Sequence, residues 1–168
     1  SMAFVNAKEA KLIFYNATSY INLQSTGMIE FGEILLENTT GNSTLNLNES
    51  ANIRKLEIRG NAGFVSIDVT QSIGNIDTLI MTEGHAYNIQ EGTILRINSL
   101  LRARGNNCVP ISLFAFPGDQ KASIQTSSKG RIDMDFVEMS NIIGIGGAVF
   151  NAGPHSTNIN NSNVNWTF

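Results

Sequence analysis

Cysteine is almost missing from this chain: Cys108 is the single one in 168 residues, so no intrachain disulfide can form and no cysteine cluster can hold a metal. Histidine is nearly as scarce. His85 and His155 each sit in a glycine-containing segment, far apart and without a second His, Cys or acid at ligand spacing, which argues against zinc. Charge is thin too, at 15% of residues with a formal net charge of -3, where about 25% charged is ordinary. Without a basic field to hold a phosphate backbone, nucleic acid is not an expected partner. No apolar run approaches the roughly 20 residues that span a bilayer, so membrane insertion is not expected either. Ser1-Met2-Ala3 lacks a charged segment leading into an apolar stretch; residues 1–2 look like a cloning remnant on a fragment of a longer parent, whose leader would lie elsewhere.

What the chain does have is 42% apolar residues, enough to build a core. Asparagine accounts for about one residue in eight, and isoleucine for almost as many. Such a mixture favours strands and turns over helices. A short unit recurs, with two apolar residues three apart: Phe31 and Ile34, Ile53 and Leu56, Ile76 and Leu79, Ile97 and Leu100. The steps between its first members, from Phe31 to Ile53 to Ile76 to Ile97, are nearly equal. Polar or glycine turns follow, as at Arg59-Gly60-Asn61 and Glu83-Gly84. A second strand-like unit interleaves at a similar period in Leu45-Asn-Leu47, Val65-Ser-Ile67-Asp-Val69, Tyr87-Asn-Ile89 and Ile111-Ser-Leu113.

Alternation within these units places one face inward, and no helical apolar stripe is sustained. Hairpins would need tight turns between adjacent strands. Equivalent strands spaced by about 22 residues instead suit the coils of a solenoid. The fold expected is all-β, a right-handed parallel β-helix (β-solenoid) forming one domain over 1–168, with regular coils at 27–113 and irregular coils and a cap at 114–168. Asn52, Asn61, Asn75 and Asn107 are expected in turns or stacked ladders. Phe4, Leu12, Phe14 and Tyr15 are candidates to cap one end, and Trp166 and Phe168 to close the other.

In the C-terminal part, Asn107-Cys108-Val109-Pro110-Ile111, Ala122-Ser123-Ile124, Asp135 to Asn141, Gly146-Gly147-Ala148-Val149-Phe150 and Trp166-Thr167-Phe168 follow in order. This succession, from Asn107 to the last residue, resembles a segment of very large, repetitive surface proteins of the Bacteroidetes. The earlier coils resemble filamentous-haemagglutinin-like β-helices. The resemblance implies an extracellular, cell-surface module of a parent exported by the type IX system and serving adhesion or gliding. Its partners would be a glycan or protein on a host, substratum or cell surface, together with flanking modules of the parent. Asp77-Thr78-Leu79 is similar to the O-glycosylation signal of exported Bacteroidetes proteins, with Thr78 as acceptor. Ile142-Ile143-Gly144-Ile145 departs from the small polar residues usual there, as extra core or an apolar patch.

Chemistry has few candidates. Asp133 and Asp135, two apart, project from one side of a strand and are the best placed for acid-base work or for Ca²⁺. Their alternation with Ile132, Met134 and Phe136, with no motif behind the spacing, favours solvated outward residues over a site. Cys108, beside Val109 and Pro110, is expected to be a small buried hydrophobe. Gly144-Ile-Gly146-Gly147 has neither the lysine nor the following helix of a phosphate loop and is expected to be a tight turn. The Asn-x-Ser/Thr triplets at Asn16, Asn38, Asn42, Asn48, Asn160 and Asn165 follow from composition. Outward aromatic platforms for a sugar are expected only at Tyr20 and Tyr87. Two functions remain: a non-catalytic adhesive or stalk module with no cofactor or metal, and a polysaccharide lyase or glycosidase using Asp133 and Asp135 with Arg102 or Arg104.

Overall fold

The computed structural model describes residues 5–15, 20–23, 29–37, 42–47, 51–59, 63–69, 73–117 and 120–168. Its strands are β1 Val5–Tyr15, β2 Tyr20–Leu23, β3 Ile29–Glu37, β4 Ser43–Leu47, β5 Ala51–Arg59, β6 Gly63–Val69, β7 Ile73–Thr82 and β8 His85–Gln90. They continue as β9 Ile94–Arg104, β10 Ile111–Phe116, β11 Ala122–Thr126, β12 Arg131–Asp135, β13 Val137–Ser140, β14 Ile142–Gly146 and β15 Thr157–Asn158. Among the described residues the helical element is one 3-10 turn, Ile159–Asn161.

Two sheets hold all of these strands. The first runs β1-β3-β5-β7-β9-β11-β14 with β12 also beside β9, and the second runs β15-β13-β10-β8-β6-β4-β2. Every pairing is parallel. Successive strands in the regular coils visit the two sheets alternately, so the chain is a parallel β-solenoid.

Register explains the repeated unit. Phe31, Ile53, Ile76 and Ile97 stack in one column and Ile34, Leu56, Leu79 and Leu101 in another. Between Ile53 and Leu56 both Arg54 and Lys55 face away from the core, and between Ile76 and Leu79 so do Asp77 and Thr78. Two consecutive outward residues interrupt strand alternation and mark a bend. Apolar residues three apart are therefore the mark of a corner within one long strand. In β9 the corner holds an extra residue, since the register shifts against β7 after Ile76. This corrects the fourth unit: Leu101 is fully buried in the column of Leu79, while Leu100 pairs with Thr78 and is half-exposed.

The second sheet supplies the facing half of the core. Leu45, Ile67, Ile89 and Ala115 stack along it, as do Val65, Tyr87, Leu113 and Met139. All eight are buried. Each large aliphatic side chain withdrawn from water contributes about 1.5–3 kcal/mol, and the columns share that gain between neighbouring coils.

After β9 the coil widens. Ile97 pairs with Thr126, and the corner opens into a turn closed by Gly130 N–H donating to Ser127 O at 2.9 Å. The long strand divides there: β11 continues the first half of β9 and β12 the second. The C-terminal cap is held by particular side chains. A Cβ at Gly144 would lie 2.5 Å from the Phe150 ring, so glycine makes room for that ring. Phe150 also meets Trp166 edge-on at 4.9 Å. Gly146 has φ 105°, as expected of a tight turn. Ile142 joins the core, while Ile143 and Ile145 are half-buried.

Asparagine takes both expected roles, at partly different positions. Asn52 and Asn75 stack on adjacent strands rather than in turns, and Asn107 lies in an exposed loop. Asn141, Asn160, Asn161 and Asn165 adopt positive φ, which asparagine tolerates better than most residues. Asn163 donates to Met139 O and Asn158 Oδ1, each at 2.8 Å, and accepts from Ile142 N–H at 2.9 Å. Trp166 packs on the core, but Phe168 stays exposed, as does Tyr15 at the other end, where Leu12 and Phe14 are half-buried. Phe4, Asn16, Asn38, Asn48 and Asn61 lie outside the described residues.

Candidate functional site

Asp133 and Asp135 do share the outward side of β12, beside Arg102 and Arg104 of β9. Their surroundings decide what they can do. Asp133 Oδ1 accepts from Arg104 Nε at 2.7 Å and Nη2 at 2.5 Å, while Arg102 and Arg131 approach Oδ2 at 3.7 and 3.9 Å. The Arg104 hydrogen bonds hold the Asp133 carboxyl below the usual carboxylate range, because they favour its charged form. Burial alone would raise Asp135, but it accepts from the backbone N–H groups of Phe136 and His155 and lies 3.1 Å from His155 Nδ1, so the net shift is downward. His155 in turn stacks on Phe136 with ring centroids 4.5 Å apart. A general acid needs a raised pKa at neutral pH; both groups move the opposite way. Three guanidinium groups around Asp133 also oppose Ca²⁺. Among the described residues no group of three His, Cys, Asp or Glu side chains could hold a metal ion, and no helix is long and apolar enough to cross a membrane.

Two expected positions need correction. Tyr87 is not an outward platform. It is fully buried between Val65 and Leu113, with its hydroxyl donating to Thr82 O and accepting from Thr82 N–H, both at 3.0 Å. In His85-Ala-Tyr87-Asn-Ile89 strand parity puts Tyr87 on the same side as Ile89. Cys108 is not a core residue. Asn106 Oδ1 accepts from Cys108 N–H at 2.9 Å and Val109 N–H at 3.0 Å, folding the loop outward before β10 begins and leaving the thiol exposed. His85 begins β8 rather than lying in a glycine-containing turn, and is buried beside Tyr87. Tyr20 is outward, 65% exposed, and its hydroxyl accepts from Asn46 Nδ2 at 2.8 Å. Thr78 is half-buried at the corner of β7, between Lys55 and Leu100.

The outer face of the second sheet holds a site the sequence reading missed. Thr44, Ser66, Asn88 and Phe114 stack in one outward column. Ser66 and Asn88 nevertheless retain only 7% and 4% exposure, because larger side chains stand around them. Phe64 and Phe114 have ring centroids 5.9 Å apart, and Phe116, 55% exposed, follows Phe114 on the same side. Together with Asp68, Gln90 and Pro117, Phe64 and Phe116 border a groove of about 370 Å³.

A polar chain runs along the groove's floor. Asn88 Nδ2 donates to Ser66 Oγ at 3.0 Å, and Ser66 Oγ donates to Asp68 Oδ1. Asn88 Oδ1 is buried and has no hydrogen-bond partner. An unpaired buried acceptor costs about 1–3 kcal/mol, and this one belongs to a residue that lines the groove. Sequence carried a usable signal: Phe64 shares parity with Ser66 and Asp68, and Phe114 with Ser112. Both rings nevertheless lie in apolar runs, the usual mark of core. Searches against protein-family models, curated proteins and solved structures return no match.

Proposed function

We propose that the chain is a non-catalytic attachment module of an exported cell-surface protein, a stiff stack of coils that presents its outer side to a glycan or protein surface. The observation that carries this reading is the outer face of the second sheet, where aromatic rings and short polar side chains from successive coils border one groove. Rings beside hydroxyl and amide groups suit contact with a partly apolar, partly hydrogen-bonding surface. The resemblance of the C-terminal part to Bacteroidetes surface proteins supports the same role, and Thr78 fits it as an O-glycan acceptor. A polysaccharide-cleaving role draws no support from Asp133 and Asp135, both engaged by cationic or hydrogen-donating partners.

Beads coated with the protein, applied to glycan-coated and protein-coated surfaces, test the reading. Retention above that of albumin-coated beads on either surface is the expected outcome. Failure to attach to both, or release of reducing ends from a polysaccharide that Asp135→Asn abolishes, would overturn it.

A further inference from the structure

Beyond attachment in general, and resting on that reading, the geometry points to a ligand class: we infer that the groove on the second sheet binds a neutral, hydroxyl-rich saccharide chain centred on Asn88. The argument starts from the unpaired acceptor. Asn88 is 4% exposed, its Nδ2 is committed to Ser66 Oγ, and its Oδ1 has no partner. Ser66 in turn gives its hydroxyl proton to Asp68. The hydrogen bonds along this chain all point one way, toward Asp68, leaving the floor with acceptor capacity at Asn88 Oδ1 and on the Asp68 carboxyl. A complementary ligand must therefore bring donors, and sugar hydroxyls are donors on a rigid ring.

The remaining walls narrow the choice. Phe64, packed against Phe114, and Phe116 offer ring faces and edges suited to the apolar C–H side of a pyranose. Asp68 is the one ionisable side chain among the residues described around the groove, and its formal negative charge opposes a uronate or a sulfate ester while accepting from a hydroxyl. The same polar column continues from Thr44 through Ser66 to Asn88 across adjacent coils, so the floor extends along the stack at the strand spacing of about 4.8 Å. An extended polymer can follow such a track. A single small molecule would use only one step.

Affinity electrophoresis separates the possibilities, with the protein run through gels containing galactomannan, xyloglucan, mannan or polygalacturonate. Wild type is expected to be slowed by at least one neutral polymer and not by polygalacturonate. Phe116→Ala, an exposed substitution that leaves the core intact, should weaken that retention at least tenfold. Asn88→Leu should do the same, with thermal melting recorded to confirm that the variant folds. Asp68→Asn, which removes the one formal negative charge described around the groove, should raise retention on polygalacturonate above that of wild type. Retention on polygalacturonate alone, or neutral retention unchanged in both Phe116→Ala and Asn88→Leu, would overturn the assignment. So would no retention on any gel. If beads still attached to protein-coated surfaces in that case, the attachment role would stand while the saccharide site fell.

Discussion

The coils from β3 to β9 and those after β10 are built on different principles. In the first region equivalent residues recur at a nearly constant step and like stacks on like, as with Leu56, Leu79 and Leu101. Stability there is distributed along columns. In the second region the step lengthens between Ile97 and Thr126 and then shortens between Ala122 and Ile142. Unique contacts take over: Phe150 over Gly144, Asn163 bridging Met139 and Ile142, and Ser156 Oγ accepting from Val137 N–H at 2.9 Å. A repeated column tolerates outward substitutions and punishes inward ones at every level. A cap held by single contacts fails one contact at a time.

The largest effect should come from charging a column. Leu79→Asp places an unpaired carboxylate among fully buried neighbours and should cost about 3–5 kcal/mol, enough to abolish cooperative melting of the regular coils in calorimetry. A cooperative melt like that of the wild type would show that Leu79 is not interior. The corner in β9 gives a sharper contrast. Leu101→Ala should lose about 2–5 kcal/mol in urea denaturation, whereas Leu100→Ala should fall within about 0.5 kcal/mol of wild type. Equal losses would refute the extra residue at that corner.

In the cap, Gly144→Val should displace Phe150 and cost about 1–3 kcal/mol, with loss of the Trp166 near-ultraviolet signal before the far-ultraviolet β-signal changes. Simultaneous loss of both would mean that the two regions form one cooperative unit. The smallest effect is on acid stability. Asp133 and Asp135 have lowered values in the folded state. Their contribution is therefore present above the unfolded carboxylate value of about 3.9 and is lost as pH falls through the folded values. Arg104→Ala should lower stability at neutral pH and flatten the acid limb of a stability-against-pH curve, so that variant and wild type converge at low pH; an unaltered limb would show that Arg104 does not stabilise the Asp133 carboxylate.

The same division explains what could be read from the sequence. Apolar pairs three apart, repeated at a nearly constant step from Phe31 to Ile97, carried the solenoid because the columns demand like residues at each level. The assignment of Leu100 in place of Leu101 failed because an inserted corner residue shifts the register without changing composition. Tyr87 was placed outward by its chemistry, although its parity with Ile89 already put it inside. Cys108 depended on an Asn106 turn that hydrophobicity does not reveal. The groove was hidden for the opposite reason, since Phe64, Phe114 and Phe116 lie in apolar runs but take the outward parity.

One measurement weighs the two outer faces directly: attachment of coated beads to a glycan surface under flow, for wild type, a Phe114→Ser/Phe116→Ser variant of the second sheet and an Arg102→Ser/Arg131→Ser variant of the first. All three proteins should melt cooperatively. The expected result is that only the phenylalanine variant detaches at low shear. Detachment of the arginine variant with the phenylalanine variant still bound would contradict the account and move the working surface to the Asp133 cluster.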